Sequence, residues 1–128
     1  MEVLSSRLLL CPNDWERSFR FYSETLGLHI YREWGEGPGR GIVFFVGSGF
    51  LELSRQCPEA KGDHLALWLH VRDLDSAHDD LRAKGVDIVE APVMKPWGLY
   101  ELRVHDPDGI LIVIVQVPDD HPLRRRVD

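Results

Sequence analysis

The chain has 128 residues and a formal net charge of −6, with 44% hydrophobic and 28% charged residues. These totals predict one soluble globular domain, and the acidic balance argues against a nucleic-acid partner because phosphate binding needs a basic surface. Since no apolar stretch approaches the roughly 20 residues that span a bilayer and the N-terminus carries no signal-peptide pattern, we expect a cytoplasmic protein without a membrane partner.

The first half of the chain predicts the order β-α-β-β-β. Residues 3–11 favour a strand, and a helix to about residue 26 can follow it, capped by Asn13 or Asp14 and stopped by Gly27. One stripe of that helix carries the apolar side chains expected to pack on a sheet: Trp15, Phe19, Tyr22 and Leu26. Three strands follow, at about 28–34, 41–46 and 50–54.

The second half repeats this order. A strand is predicted over 64–71, and Asp73 can cap a helix to about Lys84 that Gly85 stops. Further strands are predicted at about 86–90, 99–104 and 110–116. The last of them contains an unbroken apolar run after the turn DPDG, which indicates burial on both faces.

Equivalent positions in the two halves lie at a nearly constant spacing. The helix-start acids are 59 residues apart, the stop glycines 58 and the hairpin glycines 60: Asp14 and Asp73, Gly27 and Gly85, Gly49 and Gly109. Such constant offsets indicate an internal repeat of one β-α-β-β-β unit. The polar segment 55–63 is the expected joint between the two copies.

Three segments carry a family resemblance: ERSFRFYSETLGL (16–28), VRDLDSAHDDLRAKGVDI (71–88) and PWGLYELRVHDPDG (96–109). In this order they resemble the vicinal oxygen chelate superfamily, which includes glyoxalase I, fosfomycin-resistance proteins, extradiol dioxygenases and bleomycin-resistance proteins. The resemblance implies an α+β fold in which two tandem βαβββ modules form a cupped eight-stranded sheet with helices outside, and it implies a homodimer. We therefore expect a single domain over 1–128, with modules at about 1–55 and 63–118 and a tail at 119–128.

The resemblance also implies four positions for ligands of a divalent metal. Arg7 occupies the first, and a guanidinium has no lone pair to donate. Ala66 and Val113 occupy two others, and neither side chain can coordinate a metal. Glu52 fits the remaining position, although an ion pair with a base such as Arg7 is the alternative that we favour.

His64 precedes Ala66 by two residues on the same strand face, so it could serve as a ligand only if the register shifted. A structural or exposed histidine is the alternative. If a metal is bound at all, Glu52 and His64 are its candidate ligands. Because one or two ligands do not make a catalytic site, we expect no cofactor.

Aromatic side chains are expected to line the cavity instead. Trp68 and His70 alternate with the leucines of their strand, and KPWGLYE (95–101) places Trp97 in a glycine-hinged loop, either as a platform for a ligand or as a lid over the core. The cavity neighbour in the first half is Phe45 or Phe44. The expected ligand-binding residues are Arg7, Phe45, Glu52, His64, Trp68, Trp97, Tyr100 and Val113.

Within the superfamily, this pattern most resembles the metal-free, bleomycin-resistance-type branch. That resemblance implies a dimer that sequesters an antibiotic or aromatic metabolite in a cleft without converting it. The alternative is a metal-dependent lyase, isomerase or dioxygenase with an atypical site, and a third hypothesis is a ligand-sensing module. Metal-free acid–base catalysis by Glu52, His64 or His70 also remains open.

Two minor features complete the sequence. Cys11 and Cys57 are too few for a disulfide framework or a zinc finger, so we expect two reduced thiols. The basic cluster Arg124–Arg126 lies in a polar tail, where a frayed and solvated terminus is expected.

Overall fold

A computed structural model describes residues 2, 4–5, 7–55 and 65–122. The chain divides into two compact units, Met1–Gly62 and Asp63–Asp128. Each unit holds a four-stranded sheet and a helix, so the predicted α+β fold with two tandem βαβββ modules is confirmed, its eight strands divided into two sheets of four. No helix in the described part is long and apolar enough to cross a membrane. Three sequence features lie outside the described residues: Cys57, His64 and the basic cluster at 124–126.

The first unit contains the elements in the predicted order: β1 (Leu8–Leu10), α1 (Trp15–Arg20), β2 (Ile30–Trp34), β3 (Gly41–Val46) and β4 (Gly49–Leu53). A π-helical turn at Phe21–Thr25 continues α1. Asp14 caps the helix, because its side chain accepts a hydrogen bond from the backbone N–H of Arg17 at 3.1 Å. Gly27 follows with a φ of 70°, a conformation in which glycine stops a helix without steric cost.

The first sheet has the strand order β1-β4-β3-β2, with β1 parallel to β4. Its helix covers one face: the Trp15 indole donates to the backbone oxygen of Leu53 at 3.3 Å, and the rings of Tyr22 and Phe44 lie 6.4 Å apart. Side chains alternate between the faces of a sheet. The face that points away from the helix, called here the distal face, therefore carries Phe45, Phe50 and Glu52.

The second unit repeats the arrangement with β5 (Ala66–His70), α2 (Leu74–Ala83), β6 (Asp87–Met94), β7 (Tyr100–His105) and β8 (Leu111–Gln116). Asp73 caps α2 by accepting from the backbone N–H of Ser76 at 3.1 Å. That hydrogen bond and a second one from the Ser76 hydroxyl lower the pKa of Asp73. The strand order is β5-β8-β7-β6, the same as in the first sheet.

Strand β8 is the apolar run that follows the DPDG turn. Ile114 on the helix side and Val115 on the distal side are 3% and 0% exposed, which confirms the burial on both faces that the sequence indicates. The turn before it is fixed by Asp106, whose carboxylate accepts from the backbone N–H groups of Asp108 and Ile110 at 2.8 and 2.9 Å. These bonds satisfy the backbone donors of a tight connection between β7 and β8.

Cys11 is disulfide-bonded in the structure, so the expected reduced thiol was wrong at this position. The expectation rested on the small number of cysteines, which does not report whether the fold brings two sulfur atoms within bonding distance.

Candidate functional site

An ion pair occupies the distal face of the first sheet. Arg7 Nη1 donates to Glu52 Oε1 at 2.8 Å, and the two side chains are 36% and 13% exposed. The parallel register pairs Leu9 with Glu52, so Arg7, two residues before Leu9, emerges on the same face as the carboxylate. The ion pair that the sequence suggests as the alternative to metal ligation is present.

Three aromatic rings form a cluster on the same face. The Tyr31 ring lies 4.9 Å from both Phe45 and Phe50, which are themselves 5.7 Å apart. Tyr31 and Phe45 are 49% and 43% exposed. Of the two alternatives left open by the sequence, Phe45 lies here, whereas Phe44 is fully buried toward the helix. Tyr31 was missed because a register shift between Ile30 and Arg32 interrupts the simple alternation of β2.

The distal face of the second sheet places Trp68 next to Val113, as the sequence predicts. The two residues are register partners across β5 and β8, and Val113 is in turn the partner of Arg103 on β7. The Trp68 side chain is 52% exposed, and the His70 ring lies 6.3 Å from it. This row therefore combines an accessible indole, an aliphatic side chain and a guanidinium.

A buried carboxylate links two further groups on this face. Glu101 is 3% exposed, and its Oε2 accepts a 2.6 Å hydrogen bond from the Trp97 indole Nε1, while its Oε1 lies 3.4 Å from Arg103 Nη2. The Trp97 ring is 53% exposed, so part of its aromatic surface is accessible. His121 Nε2 also lies 3.1 Å from the Trp97 backbone oxygen. The indole is therefore held at its edge, and the ammonium of Lys95 lies over its ring, 5.8 Å from the centroid.

Glu101 and Arg103 were not among the residues predicted to bind a ligand. Strand alternation along β7 could have placed both on the face of Val113, since the odd-numbered residues of the strand share that face. Beside them, the ammonium of Lys95 forms an ion pair with Glu90 and, through this hydrogen bond, lowers the pKa of the Glu90 carboxyl. The second distal face thus carries Glu90 and Glu101 beside Lys95 and Arg103, and also the pair of Asp87 and His105, whose Oδ2 and Nδ1 lie 2.9 Å apart.

Tyr100 lies on the opposite, helix-facing side of β7. Its hydroxyl donates to Asp75 Oδ1 at 2.6 Å, and this hydrogen bond raises the pKa of the Tyr100 phenol. Tyr100 directly precedes Glu101, so the alternation that sends the carboxylate to the distal face sends the phenol to α2. The structure does not bring Tyr100 together with Trp68, Trp97 or Val113.

The side chains at the expected metal positions do not fit a divalent cation. Arg7 is a hydrogen-bond donor to Glu52, and Ala66 and Val113 carry no donor atom for a metal. In the described part of the chain, no group of three or more His, Cys, Asp or Glu side chains could hold a metal ion. His64, the remaining candidate, lies outside the described residues.

Comparisons with known proteins indicate one protein family. The family model of the Glyoxalase/Bleomycin resistance protein/Dioxygenase superfamily matches residues 5–114. The chain is 33% identical over 132 residues to the uncharacterized protein YraH of Bacillus subtilis, covering 91% of this chain and 99% of that protein. It is 31% identical over 116 residues to a probable lactoylglutathione lyase of Synechocystis sp., covering 80% of this chain and 87% of the relative.

Solved structures share the fold. A glyoxalase/bleomycin resistance protein from Streptomyces sp. CB03234 superposes with a TM-score of 0.72 at 25% identity, covering 88% of this chain and 99% of its own. The protein TioX from Micromonospora sp. ML1 superposes with a TM-score of 0.74 at 21% identity, covering 89% and 98%. At these identities the likeness concerns the fold.

Proposed function

Since the chain belongs to the glyoxalase/bleomycin resistance protein/dioxygenase superfamily, we propose that it is a metal-independent small-molecule-binding protein of that superfamily. The ligand is an aromatic metabolite or an antibiotic that the protein sequesters in the cytoplasm without converting it. The observation that carries this proposal is the hydrogen bond from Arg7 to Glu52. Glu52 is the one carboxylate at an expected metal position among the described residues, and the guanidinium of Arg7 lies against it.

The ion pair opposes metal binding at Glu52 in two ways. A metal ion would have to displace the guanidinium that lies 2.8 Å from the carboxylate oxygen. It would also experience repulsion from the positive charge of Arg7. Neither Ala66 nor Val113 could supply a compensating ligand.

The exposed rings support an aromatic ligand. Trp68 and Trp97 on the second sheet are 52% and 53% exposed, and Phe45 on the first is 43% exposed. Aromatic faces bind planar molecules by stacking and by removing apolar surface from water. The hydrogen bond between Trp97 and Glu101 orients one of these rings before a ligand arrives, which lowers the entropy cost of binding.

We also propose that the protein acts as a homodimer. Support comes from the family and from large apolar side chains that are exposed on this chain, including Leu9, Ile30, Val89 and Met94. Sedimentation velocity over a range of protein concentrations tests this part. A species with the mass of one chain at every concentration would contradict it.

Metal analysis combined with a thermal-shift screen tests the main proposal. We expect dialysed protein to contain less than stoichiometric nickel, zinc, manganese or iron, and we expect some aromatic compounds to raise its melting temperature by mass action. The screen includes bleomycin-like cations, neutral and acidic aromatics, and adducts of glutathione with dicarbonyls. Retained stoichiometric metal, or ligand-induced shifts that vanish with a chelator, would overturn metal independence.

A metal-dependent lyase, isomerase or dioxygenase is the second candidate, favoured by the similarity to the probable lactoylglutathione lyase of Synechocystis sp.. It would use Glu52 and His64 in an atypical site. Activity assays for lactoylglutathione formation with added nickel or zinc separate the two. Metal-dependent turnover that disappears in Glu52→Gln would establish the enzyme, whereas equal turnover in that variant would remove Glu52 from any such role.

A further inference from the structure

The guanidinium of Arg103 is incompletely satisfied by the protein. One nitrogen, Nη2, contacts Glu101 at 3.4 Å, which is long for an ion pair with a hydrogen bond. The Nε atom is buried and has no hydrogen-bond partner among the described residues. Buried donors in native proteins are nearly always satisfied, so an N–H without a protein acceptor suggests that another group supplies one.

Two acids lie beside Arg103, and each contacts another side chain. Glu90, its register partner on β6, forms an ion pair with Lys95. Glu101 accepts its short hydrogen bond from Trp97. A third acid on this face, Asp87, lies 2.9 Å from Nδ1 of its register partner His105.

The position of Arg103 fits an aromatic ligand with an acidic group. Its side chain is 33% exposed and lies on the face that carries Trp68 and Val113. Because Trp97 and Arg103 contact the two oxygens of one carboxylate, they lie within the span of one small aromatic molecule. A guanidinium is planar and presents several N–H donors, so its exposed part can donate to the two oxygens of a carboxylate.

We propose that Arg103 binds the carboxylate of an aromatic acid whose ring packs on Trp97. Glu101 is the positioning residue that holds the indole and the guanidinium together. This inference rests on the proposed function and sharpens it, because it selects acids over the cationic ligands that net charge alone would favour.

Matched pairs of aromatic carboxylates and their carboxamides, with one, two and three fused rings, test the proposal by isothermal titration calorimetry. The two members of a pair have nearly the same shape and differ in charge. We expect at least one carboxylate to bind about tenfold more tightly than its amide, as a charge-assisted bidentate contact provides. Equal affinities across all pairs would overturn the role of Arg103 and leave the binding of aromatic molecules intact.

Variants of Arg103 test whether this residue causes the tighter binding of carboxylates. We expect Arg103→Met to lose the roughly tenfold advantage of the acid while its amide affinity is unchanged. Arg103→Lys keeps the charge without the planar edge and should retain only part of the advantage, which also guards against a Met variant that folds poorly. Arg82→Met is the matched control, because that arginine is 69% exposed on α2 and pairs with Asp79.

Three outcomes separate the hypotheses. Loss of the acid preference in Arg103→Met, but not in Arg82→Met, supports the proposal. A preference that persists in Arg103→Met, or falls equally in both variants, overturns it and leaves the proposed function standing. If no compound of either series binds the wild type, the proposed aromatic ligand itself fails.

Discussion

The Trp97 indole nitrogen lies 2.6 Å from Oε2 of Glu101, a carboxylate that is only 3% exposed. The two residues are four positions apart in PWGLYE, and Gly98 between them has a φ of 86°. That conformation is open to glycine and strained for other residues. The loop therefore turns back on its own strand, and the indole edge meets the carboxylate while the ring surface stays accessible.

Two substitutions of Glu101 separate the contribution of its hydrogen bond to stability from that of its charge. Glu101→Leu leaves the Trp97 N–H without its acceptor and removes the carboxylate beside Arg103, so we expect a loss of about 1–3 kcal/mol in the free energy of unfolding. Glu101→Gln retains an amide oxygen that can accept from Trp97, and it should cost less. Urea unfolding measures both, and a Gln variant at least as destabilised as the Leu variant would contradict this account.

Much of the fold follows from local sequence signals. Asp14 and Asp73 cap the helices, and Gly27 and Gly85 end them with φ of 70° and 77°, because these features depend on a few neighbouring residues. Strand ends were harder to predict. Strand β6 continues to Met94, past the predicted end at 90, and its pairing with β7 contains register shifts that no periodic pattern shows.

The candidate site was only partly predictable. The pairing of Arg7 with Glu52 followed from the unusual residue at a ligand position. The role of Glu101 could not be predicted, because the pattern of an alternating strand indicates a solvated acid at this position. Only the folded loop shows that Trp97 covers the carboxylate. Tyr100 shows the converse, since its nearness to Trp97 in sequence hid the fact that it faces α2.

Removing Arg7 and removing Glu52 should lower the free energy of unfolding by different amounts. Arg7→Gln leaves a carboxylate that is 13% exposed without its guanidinium, so we expect a loss of about 1–2 kcal/mol in the free energy of unfolding. Glu52→Gln leaves Arg7, which is 36% exposed and can turn to water, and should cost less than about 1 kcal/mol. Urea unfolding of both variants measures the two losses, and equal losses would contradict the idea that the largely buried carboxylate depends on its guanidinium partner.

The Glu90–Lys95 pair predicts a loss of stability in acid. The hydrogen bond from Lys95 lowers the pKa of Glu90 in the folded protein below its unfolded value of about 4.3. The contribution is therefore complete above that unfolded value and is lost as the pH falls through the folded pKa. We expect the difference in unfolding free energy between wild type and Glu90→Gln to be constant near neutrality and to shrink in acid. A difference that does not change with pH would show that Glu90 does not titrate with folding.

The Tyr100–Asp75 hydrogen bond predicts the opposite dependence at alkaline pH. It raises the folded pKa of Tyr100 above the unfolded value of about 10, so its contribution is present below that value and is lost as the pH rises through the folded pKa. We expect Tyr100→Phe to lower the free energy of unfolding by less than about 1 kcal/mol near neutrality, and we expect this loss to disappear in alkali.

Because the Tyr100 phenol faces α2, Tyr100→Phe should bind aromatic ligands as the wild type does, whereas Trp97→Leu should bind them more weakly. Ligand titration of the two variants checks this contrast, and weaker binding in Tyr100→Phe would restore Tyr100 to the binding site.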